Sequence, residues 1–492
     1  MTPTPAALQP RPSSRRDPEG ITEAGPGRLA LEPGQQYRFT FDMGACIGCH
    51  SCEVACAEQN GLPVEVSWRK VGEIEGGEHP HTKRFHLSLA CNHCLEPACL
   101  SGCPTSAYTK LSNGIVAHDA DSCIGCQYCT WNCPYSVPVF QPDRKIVTKC
   151  DMCSPRLEGG FTSACVDACP THAIGIEKVD VATWRLDHSN GNAPNLPSSD
   201  LTLSTTRIVL PANLPADTFT PNQHHLVPED AHWPLIFLTL LTQLSVGAMA
   251  TAVGFRRTGH GSTAGTLIAA AAGGLALAAS LFHLGRPAVA WKALRNLRTS
   301  WLSREVLAFG LYAPLAMATA LVPSLGTVAV AVGVIGVLTS GRLYLVPGRP
   351  AWNSRVTLLD FLLTAAAIGP PLALLAIDQP SAVTVWTTMV AVSGLVLLTF
   401  ANLGRLWLAG TNQTRGTVRL TLHRFRMLTA LRATLAVGVL IGGAFSLGHS
   451  GGQMMVGAMA AATLMSSGIG RYLFYVTVVP ASMPGSSFRG AR

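Results

Sequence analysis

From Trp233 onward the hydrophobic pattern of this chain changes. Long apolar runs appear, rich in Ala, Gly, Leu and Val, with charges clustered between them. Runs of about 18–25 residues have the length that a bilayer core demands of a helix. Eight candidate spans follow: 233–255, 262–283, 305–323, 325–345, 355–377, 384–408, 430–447 and 453–479. Only a short turn, Pro323 to Gly326, separates the third from the fourth. Eight such runs in series with sparse charge argue against the buried helices of a soluble protein.

Charge sets the expected orientation. Eight spans put the N-terminal region and the C-terminus on one side. Loops on that side carry Arg286, Lys292, Arg295, Arg298, Arg304, Arg342, Arg349, Arg355, Arg405, Arg415, Arg419, Arg424, Arg426 and Arg432. The tail adds Arg471, Arg489 and Arg492, whereas the opposite side carries only Arg256 and Arg257. Seventeen against two predicts a multi-pass protein of the inner membrane with its N-terminal domain on the cytoplasmic side. The net charge of +8 is then mostly a topology signal and gives no reason to expect nucleic acid as a partner.

The N-terminal part divides further. Residues 1–35 are rich in Pro, Gly, Ala and Arg. No apolar core follows Arg15-Arg16, so the segment reads as a disordered extension and not an export signal. Residues 36–180 form a cysteine-bearing domain. Residues 181–230, dense in Pro, Asn, Ser and Thr, read as an extended connector, with parts of it lying on a partner surface. The membrane region covers 231–480, and 481–492 is a cytoplasmic tail.

All sixteen cysteines lie between Cys46 and Cys169. They fall into four groups. These are Cys46, Cys49, Cys52 and Cys56; Cys91, Cys94, Cys99 and Cys103; Cys123, Cys126, Cys129 and Cys133; and Cys150, Cys153, Cys165 and Cys169. The last three groups each end one residue before a proline: Pro104, Pro134 and Pro170. Four groups of four are the ligand count for four [4Fe–4S] clusters held by thiolates. Zinc ribbons also use paired cysteines but rarely place four within about eleven residues. A disulfide framework calls for an oxidising compartment and a small domain short of core. The predicted fold is an α+β ferredoxin-like polyferredoxin domain of two nested dicluster units, followed by an all-α eight-helix transmembrane bundle.

In a two-cluster ferredoxin the last cysteine of each run serves the other cluster. Two pairings of the groups are then open. A nested pairing gives the sets Cys46, Cys49, Cys52 and Cys169; Cys56, Cys150, Cys153 and Cys165; Cys91, Cys94, Cys99 and Cys133; and Cys103, Cys123, Cys126 and Cys129. A sequential pairing joins the first group with the second and the third with the fourth.

Two ionisable residues stand at the cytoplasmic boundary of the spans. His283 closes the second and Glu305 opens the third. Such residues at membrane depth are functional candidates. A quinone exchanges two protons with its two electrons, and a histidine and a carboxylate beside its oxygens suit that relay. The ordinary alternative is an interfacial histidine and a first-turn acid favoured by the helix dipole. Asp360 in the fifth span suits packing or a proton path, and Asp378 ends that span. Haem needs two facing axial ligands. His283, His260, His449 and His423 give no pair at one depth, so no haem is expected.

Several runs carry a family resemblance. They are Ala90-Cys-Asn-His-Cys-Leu-Glu-Pro-Ala-Cys99 and Cys123-Ile-Gly-Cys-Gln-Tyr-Cys-Thr-Trp-Asn-Cys-Pro-Tyr135. In the membrane region they are His283-Leu-Gly285, Ser303-Arg-Glu305 and Gly470-Arg-Tyr-Leu-Phe-Tyr475. The protein resembles a fusion of two subunits of the molybdopterin oxidoreductase family that includes dimethyl sulfoxide reductase. One is the four-cluster electron-transfer subunit, the other the eight-helix anchor.

The resemblance implies the nested pairing, with the set of Cys103, Cys123, Cys126 and Cys129 nearest the quinone. It implies a quinone site at His283 and Glu305 and an anchor without haem. It also implies a molybdopterin-containing catalytic subunit in a separate chain, so that this chain has no substrate chemistry of its own. The cytoplasmic placement leans toward a sulfite-oxidising partner, ahead of a reductase of dimethyl sulfoxide, thiosulfate or polysulfide. Outside that class stand a membrane-bound iron–sulfur sensor and a hydrogenase-linked electron conduit.

Overall fold

The computed structural model describes residues 30–220, 226–257, 263–374, 382–448 and 453–482. The expectations for residues 1–29, for His260, Asp378 and His449, and for residues 483–492 lie outside the described residues.

The N-terminal region is a small α/β assembly. Its first half contains β1 (Gln35–Asp42), α1 (Ser51–Asn60), β2 (Lys70–Gly76), β3 (Lys83–Leu89), α2 (Ala98–Gly102), β4 (Tyr108–Lys110) and β5 (Val116–His118). Its second half contains α3 (Tyr128–Asn132), β6 (Val139–Gln141), β7 (Ile146–Thr148), α4 (Ser154–Glu158), α5 (Ala164–Asp167) and β8 (Ile174–Asp180). Strand β1 buries Phe39 and Phe41 on one face, as the two-residue period of a strand requires.

Strand β1 pairs antiparallel with β8, Gln35 opposite Asp180 and Phe41 opposite Ile174. This brings the segment before the first cysteine group against the segment after the fourth. Between them β2–β3, β4–β5 and β6–β7 form three antiparallel hairpins. Helix α1 packs on α5, and α2 packs on α3. The helices of the first and fourth groups therefore lie together, as do those of the second and third.

The expected connector begins as part of this domain. Helix α6 (Val181–Leu186) buries Trp184, and β9 (Arg207–Val209) adds to β1 in parallel. Thr205 and Thr206 bond to the carbonyl and side chain of Asn92 at 2.6 and 2.9 Å. Thr202 donates to Cys94 Sγ at 3.1 Å. Its small polar residues suit close hydrogen bonding against the cluster loops, so residues 181–209 lie on their own domain.

Among the described residues eight long helices follow, with one short helix among them. They are α7 (Trp233–Arg257), α8 (Thr263–Leu281), α9 (Trp301–Leu321), α10 (Gly326–Leu343), α11 (Arg355–Leu374), α12 (Ala382–Leu408), the short α13 (Asn412–Arg419), α14 (Arg426–Gly448) and α15 (Gln453–Val476). Among the described residues, six helices are long and apolar enough to cross a membrane. Helices α9 and α15 fall outside that set; α9 carries Arg304 and Glu305, and α15 carries Arg471 among serines and glycines.

Helix α7 is the centre of the bundle. A Cβ on Gly247 would sit 2.1 Å from the Ala365 carbonyl oxygen, so α7 and α11 touch backbone to backbone. Ser245 joins α7 to α8 and α9 through the Ala269 carbonyl, 2.6 Å, and the Tyr312 hydroxyl, 2.7 Å.

Two arginines depart from the expected loop and tail positions. Arg432 lies inside α14 and Arg471 inside α15, where Arg471 is 2% exposed. Arg471 is held by Asp360 at 3.3 Å and by the Phe361 ring at 3.9 Å. Helix α15 continues past where a purely apolar run would stop, because an internal carboxylate offsets the charge of Arg471. Without these two the loop asymmetry is still strong.

Candidate functional site

Each cysteine group is shaped by backbone in the left-handed region. His50, His93, Gln127 and Met152 all have positive φ and follow closely on cysteines 49, 91, 126 and 150. The loop thereby turns its amides toward sulfur. His93 N–H points at Cys91 Sγ (3.5 Å), Gly125 N–H at Cys123 (3.4 Å), Met152 N–H at Cys150 (3.3 Å) and Ala107 N–H at Cys103 (3.3 Å). Amide donors suit sulfur that carries charge.

All sixteen cysteines are free thiols. Among the described residues no three Cys, His, Asp or Glu side chains converge tightly enough for a single metal ion. A cubane cluster spreads its thiolates over different irons. The donor set and its amide cradle fit iron–sulfur clusters better than mononuclear metal.

The side chains gather as follows. Cys46, Cys49, Cys52 and Cys169 line one small cavity. Cys56 lies within electrostatic reach of Cys153 and Cys165, and Cys150 of Cys56 and Cys165. Cys99 lies in reach of Cys91, Cys94 and Cys133. Cys129 lies in reach of Cys103, Cys123 and Cys126. Burial pushes the free thiols of Cys56 and Cys94 up to about 12. They lose their protons when iron takes their place, so cluster assembly releases protons.

Two buried cations lie among these sets, and the cysteine spacing pointed to neither. Arg69 is 2% exposed, with Cys165, Cys52, Cys150 and Cys56 around it. Burial opposes its charge most strongly, yet those sulfurs together raise its pKa. Lys149 is 4% exposed and donates to the carbonyls of Val116 and Cys150. Burial again acts most strongly, and Cys91, Cys99, Cys150 and Asp151 outweigh it and raise its pKa. Its place directly before Cys150 was the one available signal; Arg69, thirteen residues after Cys56, offered none.

The domain stands directly on the membrane helices. Gly125 has φ +68°, and a Cβ there would come within 3.0 Å of Gly285. Arg286 donates to the carbonyls of Ala120 (2.8 Å) and Cys123 (3.3 Å). Asn296 donates to the Cys103 carbonyl at 2.8 Å, and Ser300 to that of Gly102 at 2.9 Å. The Tyr128 hydroxyl reaches the Leu343 carbonyl at 2.7 Å. Trp131, on the same short helix as Cys129, meets Trp352 at 5.3 Å and His232 at 5.2 Å between ring centres.

His283 sits in the turn after α8, two residues past its end, with its Nδ1 buried and the Ser280 backbone beside its ring. His232, just before α7, lies within its electrostatic reach. Glu305 is 6% exposed in the first turns of α9, beside Ser340, Tyr128 and Tyr344. Both residues lie at the ceiling where the bundle meets the cysteine domain, Glu305 within reach of Tyr128 and His283 two residues before Gly285, which touches Gly125; they form no ion pair with each other. His232 lies beside His283, and the bonded pair Tyr344–Tyr475 lies beside Glu305; sequence reading passed over His232, whereas Tyr475 closes the Gly470–Tyr475 run that carries the resemblance. Asp360 lies against Arg471. His423 is exposed near the start of α14.

Two protein families match this chain. A 4Fe-4S dicluster domain family matches residues 82–179. The DMSO reductase anchor subunit (DmsC) family matches residues 229–476, half of this protein. The N-terminal part is similar to one of the chains of the anaerobic dimethyl sulfoxide reductase of Haemophilus influenzae, 37% identical over 177 residues, or 34% of this protein and 86% of that relative. The corresponding relative from Escherichia coli is 39% identical over 153 residues, 30% of this protein and 75% of the relative. A subunit of the sulfite dehydrogenase of Allochromatium vinosum is 35% identical over 160 residues, 28% of this protein and 67% of that subunit. The protein belongs to the dimethyl sulfoxide reductase anchor subunit family, with an iron–sulfur electron-transfer subunit fused ahead of the anchor.

Proposed function

We propose that this protein conducts electrons between a separate molybdopterin-containing catalytic subunit and quinone in the membrane. When bound, four [4Fe–4S] clusters supply a series of one-electron carriers. The residues proposed to hold them are the nested sets: Cys46, Cys49, Cys52 and Cys169; Cys56, Cys150, Cys153 and Cys165; Cys91, Cys94, Cys99 and Cys133; Cys103, Cys123, Cys126 and Cys129. The packing of α1 on α5 and of α2 on α3 supports nesting over sequential pairing.

The two ends of this series differ, and that difference carries the reading. At the first set Cys49 is exposed, with Ile47 62% and Val54 57% exposed close by in sequence. Exposed apolar side chains grouped near a cluster loop suit a protein partner. At the fourth set the cysteine loops rest on α8, α9 and α10 through Arg286, Asn296, Ser300 and Tyr128. Electrons therefore enter or leave at the Cys49 end through protein and at the Cys129 end through the membrane.

His283 and Glu305 bind the quinone head and exchange its protons at the oxygen atoms. The imidazole of His283, in the turn that meets the cysteine domain, supplies a hydrogen-bonding group for that head. Eight helices span the inner membrane, with the cysteine domain on the cytoplasmic side as the loop arginines favour. The catalytic partner oxidises sulfite in this reading, which the cytoplasmic placement and the similarity to a sulfite dehydrogenase subunit support. Similarity to chains of dimethyl sulfoxide reductases supports a second reading in which quinol is the electron source.

The test is sulfite-dependent quinone reduction by native membranes, comparing wild type with His283→Ala. Activity in wild type and its loss in the variant, with the clusters retained by EPR, is the expected result. Quinol-dependent reduction of dimethyl sulfoxide in place of sulfite oxidation reverses the direction and keeps the site.

A further inference from the structure

A cavity of ≈ 190 Å³ lies between α11, α12, α14 and α15, and neither His283 nor Glu305 lines it. Phe400 and Leu422 on its wall are 66% and 46% exposed, so it communicates with the outer face of the bundle. Several of its hydroxyls are committed to backbone carbonyls of the bundle. Thr399 donates to the Leu395 carbonyl, Thr421 to that of Thr417, Thr463 to that of Met459 and Ser466 to that of Arg432. Such hydroxyls offer a ligand lone pairs and no proton.

Arg432 is the exception on this wall. Its guanidinium lies across Gly470, where a Cβ would come within 2.6 Å of Cζ. Among the described residues that guanidinium makes no hydrogen bond and no ion pair. Asp360, also on the wall, is within its electrostatic reach but is bound to Arg471 at 3.3 Å. Two guanidinium groups against one carboxylate leave a positive charge unbalanced between helices of the membrane region. Such a charge is costly there without an anionic partner.

We propose that this cavity binds an anionic phospholipid, with its phosphate on Arg432 and an acyl chain along Val392, Leu395 and Val396. A planar guanidinium meets two phosphate oxygens at once, which a hydroxyl wall cannot do. The position suits a headgroup. Thr417 and Thr421 line the cavity at the loop end of α12 and α14, and Arg405, bonded to Asn402 on the wall, adds a second cation there. A quinone head is neutral and would leave the charge of Arg432 unmatched. The lipid also braces the edge of the bundle: only 17% of the apolar stretch of α14 is buried by protein, against 72% for α7.

The experiment measures phospholipid phosphorus per protein molecule, with native mass spectrometry, on the full-length protein purified with its partner and washed in detergent. Wild type, Arg432→Gln, Arg432→Lys and Ala436→Phe are compared at equal iron content, which counts only folded protein. Wild type is expected to retain one phospholipid per molecule. Arg432→Gln loses it, and Arg432→Lys keeps at least half. Ala436→Phe fills the cavity from α14 with Arg432 in place, expels the lipid, and decides the matter if Arg432→Gln does not fold. Wild-type retention in both Arg432→Gln and Ala436→Phe overturns the proposal. So does a wild-type protein that keeps no phospholipid, or one that keeps a quinone lost in Arg432→Gln.

Discussion

The cysteine domain and the membrane bundle bury charge in opposite ways. In the domain Arg69 and Lys149 lie among sulfurs that become thiolates on iron, so each cation faces several potential anions. In the bundle Arg471 faces one carboxylate, Asp360, and an aromatic ring, and Arg432 faces no partner of its own. The domain thus carries an excess of negative charge that its cations relieve. The bundle carries an excess of positive charge that needs something from outside the protein. A domain that stores electrons and a bundle that meets lipid and quinone differ in this respect for a physical reason.

The contrast is broken most completely at the cysteines. Cys129→Ser removes a thiolate of the set nearest the membrane. Loss of that cluster signal by EPR and of all quinone-linked turnover is expected, with the other three signals kept. If the sequential pairing held, Cys169→Ser would disturb the signal of the third group; the nested sets predict a change at the first.

Next in size is His283→Ala. A positioned proton-exchanging side chain contributes about 10²–10⁴-fold. Steady-state quinone turnover should fall within that range while iron content stays constant. Equal loss in a variant of an exposed histidine, His423→Ala, would break the distinction between ceiling and surface.

Asp360→Asn tests the bundle's charge directly. It leaves Arg471 without its carboxylate, and breaking a buried pair from one side costs about 3–5 kcal/mol. Thermal unfolding of the detergent-solubilised protein should shift down sharply, and the double variant Asp360→Leu, Arg471→Met should recover much of the loss. The smallest effect is electronic. A unit charge roughly 8 Å from a cluster, at an effective dielectric constant of about 20, is worth about 2 kcal/mol. Arg69→Met should therefore lower the potential of a neighbouring cluster by tens of millivolts in a redox titration followed by EPR, without changing iron content.

The two regions also differ in how much of them the sequence disclosed. Cysteine spacing displayed the domain's chemistry because ligands of one cluster sit a few residues apart on a single loop. Apolar runs displayed the helices because the bilayer sets their length. What escaped were partnerships between distant positions. Asp360 and Arg471 are one hundred and eleven residues apart, and nothing in either run announces the other. Arg471 reads as a tail charge because a positive residue near an apolar end usually marks the boundary. His232 looks like a residue before a span; its place beside Trp131 and His283 comes from the docking of the cysteine domain. The connector escaped because small polar residues suit a linker and a hydrogen-bonded wrap equally well.

The central claim is that electrons cross from the cysteine sets to quinone at His283. The most direct measurement is the rate at which a quinol analogue reduces the clusters in native membranes, followed by EPR. Wild type should show quinol-dependent reduction, and His283→Ala should show almost none, although dithionite reduces both to the same extent. Reduction of the His283→Ala clusters by quinol at the wild-type rate would contradict the account.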